Sequence, residues 1–186
     1  MTKSRGFTLV ELLVTVAVAV LALLLLVPAL QSIFERRRLQ GTAEQALAYL
    51  RQARYEAIQR NRAVAVTVDE VAGVLFRDLD GDGSLDPAER QEGTIALPEG
   101  VELGGPPADA DPVVGFTESD GRHSAVFLPT GTLADDGGAF RLRDADGNWL
   151  EVRILDRRTA IAELRKWDGT AWRRQDEGGR RWNWES

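Results

Sequence analysis

The chain has no cysteine among its 186 residues. That excludes a disulfide framework, thiolate metal sites and a cysteine nucleophile. It leaves the compartment open, because an exported domain with a large enough core folds without disulfides. Histidine is nearly absent too. His123 is the only one, so a histidine zinc site or a Ser-His-Asp triad has almost nothing to be built from. The sequence shows no nucleotide-binding loop, no catalytic metal set and no internal repeat. An enzyme is therefore not expected, and no cofactor is required. Positive charge is not in excess either. The net charge of −6 argues against bulk electrostatic binding of nucleic acid by the whole domain.

What the sequence has in quantity is apolar residues at one end. Residues 7–30 are mostly Ala, Val and Leu, and carry one charge, Glu11. At about 1.5 Å per helical residue, this run matches a bilayer core about 30 Å thick. A carboxylate there costs roughly 2.5–3.5 kcal/mol on insertion scales, so Glu11 calls for a partner. The leader, residues 1–6, carries Lys3 and Arg5. A secretory signal would have a shorter apolar core, followed by small residues at a cleavage site. Arg36, Arg37 and Arg38 follow the run, and a count of flanking positive charges would put the C-terminal part in the cytoplasm.

The stretch Gly6-Phe7-Thr8-Leu9-Val10-Glu11-Leu12-Leu13 resembles the processing and assembly signal of type IV pilins and type II secretion pseudopilins. The resemblance implies that a prepilin peptidase cuts between Gly6 and Phe7, and that Phe7 is then N-methylated. It implies that Glu11 faces the amino terminus of a neighbouring subunit. A carboxylate and an ammonium in an apolar core offset each other's desolvation only when paired and well placed. The family also implies a single pass through the inner membrane with the remainder on the periplasmic side, contrary to the charge count, and later residence in a pilus or pseudopilus. Pro28 stands where such helices often carry a proline. The resemblance implies local melting that helps subunits pack, whereas the residue alone implies a kink near the membrane surface. The helix is expected to continue in either case.

Residues 31–62 stay helical in pattern and turn amphipathic. Ala43, Ala46, Leu47, Leu50, Ala53, Ala57 and Ile58 recur every three or four residues, as one buried face requires, while Arg51, Arg54, Glu56, Gln59 and Arg60 fall mostly elsewhere. Strand patterns follow at 63–68 and 71–77, joined by an Asp69-Glu70 turn, then at 94–97, 113–116, 124–127, 139–143, 149–155 and 159–165. Gly and Asp clusters separate them. Residues 104–112 are rich in Gly, Pro and Asp and read as a flexible connection. Two segments resemble the GspH/FimT branch of the pilin family. One is Ala53-Arg54-Tyr55-Glu56-Ala57-Ile58-Gln59-Arg60-Asn61, at the end of the long helix. The other is Val126-Phe127-Leu128-Pro129-Thr130-Gly131, a Phe-x-Pro-x-Gly turn ahead of a hairpin, followed by Phe140-Arg141-Leu142. The fold expected is α+β and pilin-like: a long N-terminal helix, its first half transmembrane, packed on an antiparallel β-sheet domain at 63–166, with a Trp/Arg-rich tail at 167–186.

Two further stretches have chemistry of their own. Residues 78–89 follow the twelve-residue calcium loop, with Asp78, Asp80, Asp82, Ser84, Asp86 and Glu89 at ligand places and Gly83 at the sharp turn. Crowded carboxylates repel unless a divalent cation neutralises them. Strands rather than helices are expected on both sides, so the loop reads either as a structural Ca2+ site or as a solvated hairpin tip. Near the C-terminus, Trp167, Trp172, Trp182 and Trp184 alternate with Arg165, Lys166, Arg173, Arg174, Arg180 and Arg181. Arg and aromatic side chains together hold single-stranded nucleic acid, and FimT-type minor pilins that bind DNA during natural transformation make that role a rival reading. The acids Asp168, Asp176, Glu177 and Glu185 dilute the charge, and the other reading packs the tryptophans on the sheet or on a partner subunit. The expected partners are other pilins or pseudopilins, the prepilin peptidase/methyltransferase and the inner membrane, with DNA in the rival reading.

Overall fold

The structure, a computed structural model, describes residues 8–79, 84–91, 93–119 and 122–174, without the side chains of 24–30 and 119. Helix α1 spans Leu9–Arg60, 52 residues, and passes without a break through position 28. Thr8 caps its start. The Thr8 hydroxyl accepts from the Glu11 amide at 3.2 Å, satisfying one of the free N–H groups of the first turn. Asn61 ends the helix in the left-handed region (φ 47°), with its N–H turned back to the carbonyls of Ala57 and Ile58.

The two halves of α1 differ. From Leu9 to Leu23 every side chain is exposed, including Leu9, Val10, Leu12, Leu13, Leu21 and Leu23. From Leu39 onward one face is buried, at Leu39, Ala43, Ala46, Leu50, Ala53 and Ala57. Those spacings of three and four are the expected stripe, and its alanines let strands approach the helix axis closely. Two positions depart from expectation. Ile58 is 44% exposed, whereas Glu56 is buried. Among the described residues no helix is long and apolar enough to cross a membrane. The expected span of 7–30 runs outside them at residue 7 and at the side chains of 24–30.

Among the described residues ten strands form two five-stranded antiparallel sheets rather than one. The first has the order β3 (Thr94–Ala96), β2 (Val74–Asp78), β1 (Val64–Asp69), β6 (Arg122–Phe127), β5 (Thr117–Ser119). The second has the order β10 (Trp172–Arg174), β9 (Ala162–Trp167), β8 (Trp149–Ile154), β7 (Gly138–Asp144), β4 (Val101–Leu103). A short helix, α2, covers Pro87–Gln91. The buried half of α1 lies on both sheets, against β1 and β6 of the first and β4, β7, β8 and β9 of the second. The core fills the space between, with Val64, Val66 and Val68 from one sheet and Leu142, Leu150, Val152, Ile154 and Leu164 from the other. Each such side chain contributes roughly 1.5–3 kcal/mol by leaving water.

Three expectations need correction. Residues 113–116 make no full strand. They continue the sheet edge beside β4 through a single bridge, Val114 to Phe140, with Gly115 N–H on Ala139 O at 2.7 Å and Arg141 N–H on Val113 O at 3.0 Å. The stretch from Trp167 is not simply a tail, because Trp172–Arg174 returns antiparallel to Arg165–Trp167 and closes the second sheet. Residues 104–112, read as a flexible connection, are tied to that sheet by side chains described below.

Candidate functional site

Arg54, at the end of α1, and Gly131, after β6, belong to the two segments that resemble the GspH/FimT branch, and they meet. Arg54 Nε donates to Gly131 O at 2.8 Å. Gly131 turns at φ +78°, and a Cβ there would lie 2.9 Å from Ile58 Cδ1. The turn is closed by Gly131 N–H on Leu128 O at 2.8 Å. This accounts for Ile58 at the edge of the stripe: its side chain covers the turn instead of entering the core. The top of α1 is thus fastened to the end of β6. Lower down, Arg51 donates to Ala162 O at 3.2 Å and Arg38 to Glu99 O at 2.7 Å.

Below that fastening, Leu9–Leu23 of α1 stands bare. Its exposed surface from Leu9 to Leu23 is apolar apart from Thr8, Thr15 and Glu11. Thr15 Oγ1 bonds back to Leu12 O at 2.8 Å, which hides its hydroxyl within the helix. Glu11 lies in the first turn, where the helix dipole favours a negative charge, and its carboxylate is exposed. Gly6 and Phe7 fall outside the described residues.

The acidic loop is described at both ends. Asp86, Pro87 and Glu89 build the start of α2. Asp86 Oδ1 accepts from Glu89 N–H at 2.9 Å, and Glu89 Oε2 accepts from Asp86 N–H at 3.1 Å. That is a reciprocal capping box with proline at the first helical position. The other oxygen of Glu89 accepts from Leu79 N–H at 2.7 Å, so one buried carboxylate closes the loop end to end. Burial pushes Glu89 up, the two amide bonds oppose it, and the charges of Asp78 and Asp86 push it further up. Asp78 is buried, and the Ser84 hydroxyl accepts from Arg122 at 3.0 Å. Asp80 and Asp82 lie outside the described residues. Among the described residues no group of three or more His, Asp or Glu is placed to hold a metal ion.

The basic residues near the C-terminus are distributed as follows. Arg165 Nε donates to Glu163 Oε1, Arg174 Nε reaches Glu163 Oε2 at 2.8 Å, and Arg173 Nε reaches Asp168 Oδ2 at 2.8 Å. Arg173 and three bonds from the Thr170–Ala171 turn hold the Asp168 carboxyl far below the ordinary range. Lys166 faces inward and is only 9% exposed; burial, then the charge of Arg36, pushes its pKa down. Arg180 and Arg181 lie outside the described residues. Trp167 and Trp172 meet edge to face, centroids 5.3 Å apart.

Sequence reading gave Arg141 no role of its own. It is 2% exposed, on β7. Its guanidinium bonds Glu151 Oε2 twice, at 3.1 and 2.8 Å, and Asp111 Oδ2 at 3.1 Å, and it also reaches Pro112 O. Asp109 Oδ2 lies 3.4 Å from Nε, and the Trp172 ring sits 5.4 Å beneath. Trp172 Nε1 donates to Asp109 at 2.7 Å. Burial pushes Asp109 up, but the Trp172 indole, the Asp111 amide and Arg141 outweigh it and hold the carboxyl below its ordinary value. Residues 104–112 and β10 are therefore held by one buried cation. The only available signal was Arg141 sitting among apolar residues on a strand, two places from Ala139.

Comparison with known proteins adds two family matches. The family described as Type II transport protein GspH matches residues 42–159, and the prokaryotic N-terminal methylation motif matches residues 1–27. No curated protein matches the chain. Among solved structures, the Pseudomonas aeruginosa type IV minor pilin FimU is 20% identical, over 74% of this chain and 94% of its own, with a TM-score of 0.45. The minor pseudopilin EpsH from the Type 2 Secretion System of Vibrio cholerae is 14% identical, over 70% and 96%, with a TM-score of 0.43. With the GspH match covering well over half of its length and the methylation motif at its start, the chain belongs to the GspH family of pilin-like proteins.

Proposed function

We propose that the chain is a structural subunit of a type IV pilus or type II secretion pseudopilus. A prepilin peptidase removes residues 1–6, and Phe7 becomes the N-methylated amino terminus. Residues 7–30 hold the subunit in the inner membrane, with the β-domain on the periplasmic side, until the helix transfers into a bundle of like helices. The observation that supports this reading best is the bare stretch Leu9–Leu23 of α1, an apolar surface whose one charge is Glu11. Such a surface needs a cover of lipid or of other apolar helices. In a helix bundle the unpaired carboxylate gains an ammonium from a neighbour's terminus, which offsets the desolvation of both.

The test is the mass and N-terminal sequence of the protein recovered from its own cells. A chain beginning at methylated Phe7 is the expected result. A chain that still begins at Met1, or one cut beyond Leu30, would overturn the reading. Glu11→Ala is expected to be processed normally and to be absent from filaments, and its normal incorporation would remove the role given to Glu11.

A further inference from the structure

The apolar run is followed by three consecutive arginines, Arg36, Arg37 and Arg38, and between Glu11 and Glu35 the helix carries no charge. Residues three and four apart share a helix face, so Ile33, Phe34, Arg37 and Arg38 form one patch. All four are exposed, Phe34 at 60%. The patch faces away from the β-domain, since Leu39 and Ala43 take the opposite face into the core. Among the described residues Arg37 makes no bond or ion pair. Arg38 spends one N–H on Glu99 O at 2.7 Å. Arg36 is half-buried, its charge is felt by Lys166, and it takes no part.

The position of the patch along the axis is a second observation. At about 1.5 Å per residue, α1 from Leu9 to Arg37 is about 42 Å long. A bilayer with both headgroup layers is roughly 40–45 Å thick. With the start of α1 in one headgroup layer, Arg37 and Arg38 fall in the other. Ile33 and Phe34, one turn below, fall at the edge of the hydrocarbon. A guanidinium is a planar fork that bonds phosphate oxygens in pairs, and its stem lies along apolar surface while its head stays at the boundary. Nearby acids leave the pair available. Glu35 is two positions from Arg37, on the opposite side of the helix. Glu44 lies two turns on, held by Gln40 at 2.8 Å. Two guanidiniums then stand against the one exposed carboxylate of Glu99, whose carbonyl Arg38 holds.

We propose that Arg37 and Arg38 bind the phosphate of a phospholipid headgroup, in the leaflet on the side of the β-domain, before the subunit enters a filament. The proposal rests on the membrane reading above and names its lipid contact. It gives a partner to arginines that a count of flanking charges would put in the cytoplasm. Because Arg38 also holds the loop at Glu99, the contact sets the height of the β-domain over the membrane surface.

The experiment uses the full-length chain in vesicles of phosphatidylcholine and phosphatidylglycerol. The chain has no cysteine, so Gln31→Cys and, in a second chain, Glu44→Cys each carry a single nitroxide whose depth is measured. The first is expected at the hydrocarbon edge and the second in water. Phosphate contact is read in solid-state NMR, as dephasing of labelled arginine guanidinium carbons by lipid phosphorus. It is expected in the parent, to fall in Arg37→Gln, which breaks no bond of the fold, and to be lost when Arg38→Gln is added. With the Gln31 label at the hydrocarbon edge, absence of dephasing would overturn the headgroup proposal alone. So would dephasing that neither variant reduces. Equal dephasing by inorganic phosphate, added to the chain in maltoside micelles, would make the pair a general anion site and overturn it too. A Gln31 label in water would overturn the membrane reading, and the headgroup proposal with it.

Discussion

Arg141 and Lys166 are both buried cations of the second sheet, and their surroundings set opposite expectations. Arg141 meets Glu151, Asp109, Asp111 and the Trp172 ring. Removing it leaves the fully buried Glu151 carboxylate without its principal cation. Breaking a buried pair from one side typically costs about 3–5 kcal/mol, so Arg141→Ala is expected to lose that much in urea unfolding of the whole chain. Lys166 has burial and the Arg36 charge against it. Its folded pKa is lowered, so the unfolded chain binds the proton more firmly. The penalty is fully present near neutral pH and fades as pH rises from the lowered value towards the ordinary 10.5. Lys166→Met is therefore expected to rise less steeply in stability than the parent over the alkaline window that ends near 10.5. Urea melts at both ends of that window measure it.

At the scale of elements, the strap of residues 104–112 and the acidic loop show where sequence reading ran out. The long helix was legible because its apolar spacing is local, and most strands of the two sheets were legible because β-branched residues recur between Gly and Asp turns. The strands β4, β5 and β10 have three residues each, as does β3, which was legible; at that length a period barely shows. The fastening of residues 104–112 depends on Arg141, about thirty positions on, and composition alone reads such a stretch as loose. Trp172→Ala removes both the indole bond to Asp109 and the ring beneath Arg141. It is expected to raise hydrogen exchange in 104–112 and in β10 together, with exchange in the buried half of α1 unchanged. The two readings of the acidic loop also separate. Asp86→Ala breaks the capping box and is expected to cost about 1 kcal/mol in the absence of calcium. In the calcium reading, which we propose, Asp80 and Asp82 join Asp78, Ser84, Asp86 and Glu89 as ligand places. Asp82→Ala is then expected to lower the melting temperature only when calcium is present. Equal melting of that variant and its parent in calcium would leave the capping box as the loop's sole device.

For the whole molecule, the balance of charge decides between filament contact and nucleic acid. Binding to a phosphate backbone releases counterions, so affinity falls with salt at a slope of about −0.7 per phosphate contact for single strands. A steep slope therefore needs several cations free to leave their own acids. The described candidates are committed elsewhere: Arg165 and Arg174 share Glu163, Arg173 holds Asp168, and Lys166 points into the core. Each arginine would have to give up a carboxylate before taking a phosphate, on a chain already at −6. The full chain in detergent is expected to give no salt-sensitive shift of labelled single-stranded DNA at micromolar concentration. Reversing the pairing sharpens the test. Glu163→Gln removes the carboxylate that Arg165 and Arg174 share, so weak binding that appears in that variant alone would show that the acids suppress it. A shift already present in the parent, and lost on Arg180→Ala with Arg181→Ala, would move the DNA contact to the C-terminal end and make DNA capture a function of this subunit.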